Sequence, residues 1–463
     1  MPQSKTRPAV VALLAGGAAL LLAQATRRAR LERAPALQGP GRLRVVVVGA
    51  GFGGLPVAES LANAPGIALT VIDARNHHLF QPLLYQVATA ALSPADIAAP
   101  VREILPAAED VTVLMAEVTG VDTAQRQVHC HDGRHVPYDR LVIASGSQPS
   151  YFGHPEWAEA APSLKSLEDA IRLRDRGIAA LERAARAPDA ATRRRHLTFV
   201  LIGGGPTGVE MAGAIGDFVS DRLDHVYGMA SHQARVILVE AGPRILSAFD
   251  PALSAQAARD LAALGVEVRT GTSVTAIAPG RVTIGHESID SETVIWTAGT
   301  TATPVAQWLG VKPGHGGRVA VGADLTLPGH PDVFVIGDVA LAHDGKGAPL
   351  PALAPVAKQQ GHYVAGRILG TVAEAPFRYT DYGTLATIGR DKAIAEIGPI
   401  KLTGRPAWLM WAFAHILFLI SFRSRAIVSL EWFFAYATHA RSAGLLIGDL
   451  PDTAPASPHP TSL

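Results

Sequence analysis

Four consecutive valines, Val45–Val48, run straight into Gly49-Ala50-Gly51-Phe52-Gly53-Gly54. This junction constrains the fold more than any other stretch of the chain. An unbroken β-branched run marks a parallel strand buried on both faces. Gly49, Gly51 and Gly54 have the GxGxxG spacing. The first glycine permits a tight turn, the second lets a pyrophosphate approach the backbone, and the third lets the next helix pack on the strand. The helix expected at Leu55–Asn63 offers its N-terminal N–H groups to phosphate. Asp73 closes the next strand, Ala68–Asp73, where a carboxylate can accept from ribose hydroxyls. Strand, glycine loop, helix and acid in this order predict a dinucleotide-binding βαβ unit.

The pattern occurs twice. The run Leu197–Ile202 leads into Gly203-Gly204-Gly205-Pro206-Thr207-Gly208-Val209-Glu210, and Glu240 ends the strand Arg235–Glu240. A carboxylate there bonds both ribose hydroxyls and repels a 2′-phosphate, which favours NADH over NADPH. Arg244 stands nearby and reads as an ordinary surface charge in preference to one that softens this selectivity. Three further strand-to-turn junctions follow the same logic. They are Leu141–Gly146, Thr293–Gly299, and Asp332–Gly337 with Asp338, the last acid being placed for a polyol hydroxyl or a phosphate-bound water.

Two nucleotide folds in one chain call for two nucleotides, and the economical pair is a flavin with a nicotinamide cofactor. Composition supports that division of labour. Cys130 is the single cysteine among 463 residues, which excludes an intramolecular disulfide, a CxxC redox pair and a cysteine-ligated iron–sulfur cluster. His77 and His78 have no acid or cysteine at ligand spacing, so no metal is expected. A net charge of +1 suggests no nucleic-acid partner. A mean hydropathy of +0.21 is high for a soluble protein and points toward membrane contact.

The remaining segments read more simply. Ala9–Ala25 is apolar with basic flanks, a membrane anchor in preference to a cleaved export signal. Pro162–Arg186 has the period of a solvated connecting helix, and Ala185–Arg195 reads as a polar linker. Pro406–Phe422 carries no Asp, Glu, Lys or Arg, yet Lys401, Arg405, Arg423 and Arg425 flank it. Trp408, Trp411, Phe418, Phe422, Trp432, Phe433, Phe434 and Tyr436 crowd the same region. Aromatics with flanking arginines suit helices lying in the membrane interface. The Pro/Ser/Thr-rich end beyond Leu450 is expected to be disordered.

The order of these motifs resembles the two-dinucleotide-domain flavoproteins of glutathione-reductase type. Within them it is similar to the type II NADH:quinone oxidoreductases. The resemblance rests on His78–Ala88, Gly203–Glu210, Val239–Arg244 and the tail set Ala407, Trp408, His415, Phe422–Arg425, Trp432 and Tyr436. It implies an α/β fold in which an FAD domain (42–160 and 317–385) is split by an inserted NAD domain (161–316). A membrane-associating helical region (386–450) would follow, with 1–41 ahead of the fold and 451–463 behind it. It also implies FAD and NADH as cofactors and a lipid quinone as electron acceptor. The membrane contact would lie on the cytoplasmic face of the bacterial inner membrane, and a homodimer stays open. Glu210 would lie near the nicotinamide and flavin, and Gln359 would border the quinone site with Lys358 beside it. Pro355 stands where the family's quinone motif has a glutamine. A reductase with a soluble acceptor and a non-catalytic nucleotide-binding protein remain the alternatives.

Overall fold

The computed structural model describes residues 41–438, apart from 106, 109 and 374, together with 444–446. The apolar segment Ala9–Ala25 and the chain beyond Leu450 lie outside the described residues.

The chain divides into two compact units. The first takes the described residues up to Leu79 with Ala98–Gln148 and Thr300–Asp381; the second takes Phe80–Ile97, Pro149–Gly299 and the chain from Tyr382 onward. The centre of the first is a six-stranded sheet in the order 326–327, 330–335, 140–143, 43–48, 67–73, 111–115. All neighbours are parallel except the hairpin at Thr326–Val335. The valine run lies between two parallel neighbours, with Val46 opposite Thr70 and Leu141. Val45 and Val47 are fully buried, each such side chain contributing about 1.5–2 kcal/mol of apolar transfer energy.

The second unit has a four-stranded parallel sheet in the order 266–270, 235–240, 198–202, 293–296. The central strand Thr198–Ile202 is buried at every position. A second layer, the antiparallel sheet Thr384–Gly389, Lys392–Ile397 and Ile400–Thr403, packs on the helix Pro206–Arg222. The approach is close: a Cβ at Gly213 would lie 1.8 Å from the Ile388 carbonyl oxygen. Helix Gly404–Phe418 then covers Lys392–Ile397 and buries Ala407 and Trp411. The C-terminal region is therefore built into the second unit's core. Among the described residues, no helix is long and apolar enough to cross a membrane.

Helix Leu167–Ala185 agrees with its periodicity and opens on a reciprocal capping box between Ser166 and Asp169. The segment read as a polar linker is different. Its second half is a helix, Ala190–His196, whose N-cap Asp189 accepts from the Thr192 N–H. Composition misled here: three arginines look like solvated linker, but they are good helix formers once an acid caps the first turn. Buried His196 then seats against Glu292, its Nδ1 2.9 Å from Oε2.

Candidate functional site

Both glycine loops have the same steric logic. Gly49 has φ +96°, and a Cβ there would lie 2.4 Å from the Ala144 carbonyl oxygen. One at Gly54 would overlap the Gly49 oxygen at 1.8 Å. At Gly51, by contrast, a Cβ would meet nothing within 4 Å. The second loop repeats this residue for residue. Gly203 has φ +112° and lies 2.7 Å from the Ala298 backbone by the same measure; Gly208 would overlap the Gly203 oxygen at 1.8 Å; Gly205 faces open space. The outer glycines are thus required by the protein's own backbone. The middle glycines expose backbone to whatever binds, which is the geometry a pyrophosphate needs.

The acids are duplicated as well. Asp73 accepts from the Ala50 N–H at 2.7 Å through Oδ2 and from the Arg75 N–H at 2.8 Å through Oδ1. Glu240 accepts from the Gly204 N–H at 2.6 Å and from the Gly242 N–H at 2.7 Å. Each carboxylate clasps the residue after the first glycine and the residue two places beyond itself. Each carboxylate oxygen retains a lone pair for a ribose hydroxyl. Arg244 is committed elsewhere, donating to the carbonyls of Leu246, Ser247 and Phe249 at 3.2, 2.6 and 2.8 Å. It ties down a loop and is not the free surface charge that the sequence suggests.

The first unit adds three features around its loop. Gly146 has φ +76° and its carbonyl accepts from the Thr303 N–H and hydroxyl, both at 3.2 Å. Asp338 accepts from the Ser147 hydroxyl at 2.5 Å, and Gly337, with φ +73°, donates its N–H to Gln360 at 2.7 Å. His78 is buried and donates from Nδ1 to the Ala50 carbonyl at 2.7 Å. Ala50 is therefore held at its N–H by Asp73 and at its oxygen by His78. Burial pushes the His78 value down to about 4, so the ring is neutral at pH 7. The sequence argues against a metal at His78 and includes it in the run that carries the resemblance, but assigns no such role to His78 or to Gln360. The resemblance points to neighbouring Gln359, but it is the 1 % exposed Gln360 that holds the Gly337 turn. Gln359 itself forms a two-bond clasp with Thr380, donating to its carbonyl at 2.8 Å and accepting from its N–H at 2.9 Å. The positive charge of Lys358, one residue earlier on the helix Ala354–Ile368, adds to the lowering of His78.

In the second unit Gly299 has φ +77° and ends the turn after Thr293–Trp296. Thr297 of that turn donates its hydroxyl toward the carbonyls of Ile202 and Gly203 at 2.9 and 3.0 Å. Glu210 lies in the first half of the helix Pro206–Arg222. One oxygen accepts a long 3.5 Å bond from the Thr387 N–H. Burial lifts its acid from the ordinary 4.5 to about 8, with the Thr387 N–H and nearby Trp411 pulling the other way. Trp411 is 2 % exposed and stacks on His415 and Trp432, with ring centroids 4.3 and 5.3 Å away. Trp432 donates in turn to Gln86 at 2.7 Å. The result is a half-buried carboxylic acid whose neutral form desolvation favours, backed by stacked aromatics from the C-terminal helices.

Comparison with known proteins agrees with this architecture. Residues 43–361 match the family model of the pyridine nucleotide-disulphide oxidoreductases, and residues 382–437 match that of the NDH2 C-terminal domain. The chain is 40% identical over 420 residues to type II NADH:quinone oxidoreductase Ndh of Mycobacterium tuberculosis, covering 87% of this chain and 89% of that protein. It is 31% identical over 409 residues to demethylphylloquinone reductase NdbB of Synechocystis, covering 84% and 96%. The solved NDH2 of Plasmodium falciparum, in complex with NADH, superposes with a TM-score of 0.79 at 19% identity, covering 88% of this chain and 100% of that one. The disulphide of the family name has no counterpart in a chain whose one cysteine is Cys130. The chain belongs to the pyridine nucleotide-disulphide oxidoreductases and, among them, to the type II NADH:quinone oxidoreductases.

Proposed function

We propose that this chain oxidises NADH and reduces a lipid quinone by two electrons, with FAD held in the first unit and NADH in the second. One observation carries the reading: two glycine cradles with the same steric pattern and the same carboxylate clasp, in a chain lacking a thiol pair. FAD supplies hydride acceptance and two-electron donation when bound; the protein binds, orients and handles protons. Asp73 serves the flavin's adenosine ribose and Glu240 that of NADH. Glu210, protonated at pH 7, is assigned the proton that quinone reduction consumes. Gln359 and Lys358 are assigned to the quinone half-reaction, Gln359 through the Thr380 segment that it holds. Anaerobic NADH should bleach the flavin absorbance and a quinone analogue should restore it. A flavin that stayed oxidised with excess NADH would overturn the proposal.

Glu240→Ala should leave the flavin content unchanged and raise the KM for NADH roughly tenfold, since a paired ribose contact is worth about 1–3 kcal/mol. It should also narrow the preference over NADPH, because the charge facing a 2′-phosphate is gone. Steady-state kinetics with both nucleotides, beside a melting curve for the lost backbone bonds, tests this. A variant that lost its flavin but kept parental NADH affinity would reverse the assignment of the two cradles.

We place the protein on the membrane surface at the cytoplasmic face, where NADH is made. Leu409, Phe413, Phe422, Leu430, Phe433 and Phe434 are all exposed on the last two helices, Phe422 at 84 %. Arg423 and Arg425 follow within the same stretch. This is the composition of helices lying in the headgroup plane. Each phenyl ring moved from lipid to water costs about 1.5–3 kcal/mol. Phe422→Glu with Phe433→Glu should therefore weaken vesicle binding at least a hundredfold, while NADH still bleaches the flavin. Vesicle sedimentation reads this out. Undiminished binding would move the anchoring role to Ala9–Ala25.

A further inference from the structure

Phe152 occupies a conformation that its chemistry does not favour. Its backbone has φ +52°, in the left-handed region, which costs a bulky residue about 1 kcal/mol. The residue is nevertheless 67 % exposed. A strained backbone holding an apolar ring in solvent gains little for folding, and such outliers gather at binding sites.

The ring's position is well defined. Its tip rests on Gly299, where a Cβ would fall 2.4 Å from the ring's Cζ. The segment beneath is strapped to the same turn: the Ser150 N–H donates to the Gly299 carbonyl at 3.2 Å, and the Trp296 indole donates to the Ser150 carbonyl at 2.9 Å. Tyr151 stacks on Trp296 at 4.9 Å, and Phe152 is tilted 58° to Trp296 at 6.1 Å. Tyr151 and Trp296 thus form the support, and Phe152 is the ring left facing outward.

Sheet order says what it faces. The strand Arg235–Glu240 lies on one side of the fingerprint strand Thr198–Ile202, and Thr293–Trp296 lies on the other. Ligands of open α/β sheets bind across the carboxyl ends of the strands. A dinucleotide with its adenosine ribose at Glu240 and its pyrophosphate at Gly205 must extend its other half over the turn Thr297–Gly299. That turn lies directly on the first glycine of the loop, since a Cβ at Gly203 would be 2.7 Å from Ala298 Cα. We propose that Phe152 is a binding residue for the nicotinamide half of NADH, giving the nicotinamide riboside an apolar aromatic surface at the Gly299 turn. Flat heteroaromatic rings pack well on such a surface, edge-on or offset. The inference rests on the assignment of NADH to the second unit.

The test uses two ligands that differ only in the half concerned. ADP-ribose keeps the adenosine, the pyrophosphate and the second ribose and lacks the nicotinamide. Titration calorimetry on the anaerobically pre-reduced holoenzyme, which offers NADH no hydride acceptor, gives both dissociation constants. Phe152→Ala should weaken NADH roughly fivefold to tenfold, the scale of one aromatic contact, and leave ADP-ribose unchanged. Phe152→Tyr should restore NADH affinity, and flavin content should stay at the parent level in both variants. Unchanged NADH affinity in Phe152→Ala would overturn the inference. Equal weakening of both ligands would overturn it too, by showing that the residue only shapes the turn. If neither ligand bound the parent enzyme, the assignment of NADH to this unit would fail and this inference with it.

Discussion

Gly205→Ala is expected to fold as well as the parent chain, keep its flavin and lose NADH, whereas Gly208→Ala is expected to lose NADH and stability together. The two glycines are three residues apart in one loop, and the difference lies in what a methyl group would meet. At Gly205 it meets nothing within 4 Å, and the backbone there is extended, with φ −71°. Alanine adopts that conformation without strain, so only an incoming phosphate collides with it. At Gly208 the methyl overlaps the Gly203 carbonyl oxygen at 1.8 Å and approaches the Thr297 hydroxyl at 2.7 Å. Backbone cannot move aside as a flexible side chain does, and overpacking of this kind costs ~1–3 kcal/mol or more. Gly51→Ala and Gly54→Ala should repeat the pair in the first unit: flavin-poor protein from the former, flavin-poor and poorly folding protein from the latter. Thermal melting, flavin absorbance and NADH titration on the four variants decide it. A Gly205→Ala enzyme with parental NADH affinity would show that the pyrophosphate does not lie over this loop.

Glu210→Gln should slow reoxidation of the flavin by quinone about a hundredfold, the low end of what a positioned proton donor contributes, while reduction by NADH and bound FAD stay near parental. Rapid mixing separates the two half-reactions. The parent's reoxidation should fall as pH rises through about 8, where burial has placed the Glu210 acid, and the glutamine variant should lack that limb. Stability gives a second reading with a definite sign. A group that binds its proton more tightly folded than unfolded contributes stability that is complete below its ordinary value and is lost as pH rises through its folded one. For Glu210 that window runs from 4.5 to about 8. The melting difference between variant and parent should therefore shift in the variant's favour between pH 6.5 and pH 9. A pH-independent difference, together with parental reoxidation at saturating and limiting quinone, would remove Glu210 from the proton path.

Much of this chain is legible because its rules act over short distances. Val45–Val48 and Phe199–Ile202 are buried strands because an unbroken apolar run has nowhere else to go in an α/β sheet. Gly49 and Gly203 have positive φ because each strand must turn sharply into its helix. Asp73 and Glu240 end their strands where the sequence places them, and the structure adds the unforeseen clasp that each makes on its own loop. The misread segment was short and charged. Three arginines at 193–195 carry no periodicity, and only the Asp189 cap reveals the helix.

The sequence by itself determined the two cradles, their acids and the absence of a thiol pair, since glycine sterics, strand burial and cysteine count need no distant partner. Tertiary structure alone decided what the remaining residues do. The Glu210 acid is lifted towards its neutral form because the fold desolvates it, even though Thr387, 177 residues away, and Trp411 pull the other way. Gln359 and Gln360 are adjacent on one helix, yet one clasps Thr380 and the other holds Gly337, a division that depends on which way the helix faces. The C-terminal apolar residues separate likewise. Trp411 is buried on the sheet while Leu409 and Phe413 of the same helix are left exposed, because packing against Lys392–Ile397 uses one side of the helix and leaves the rest for another surface.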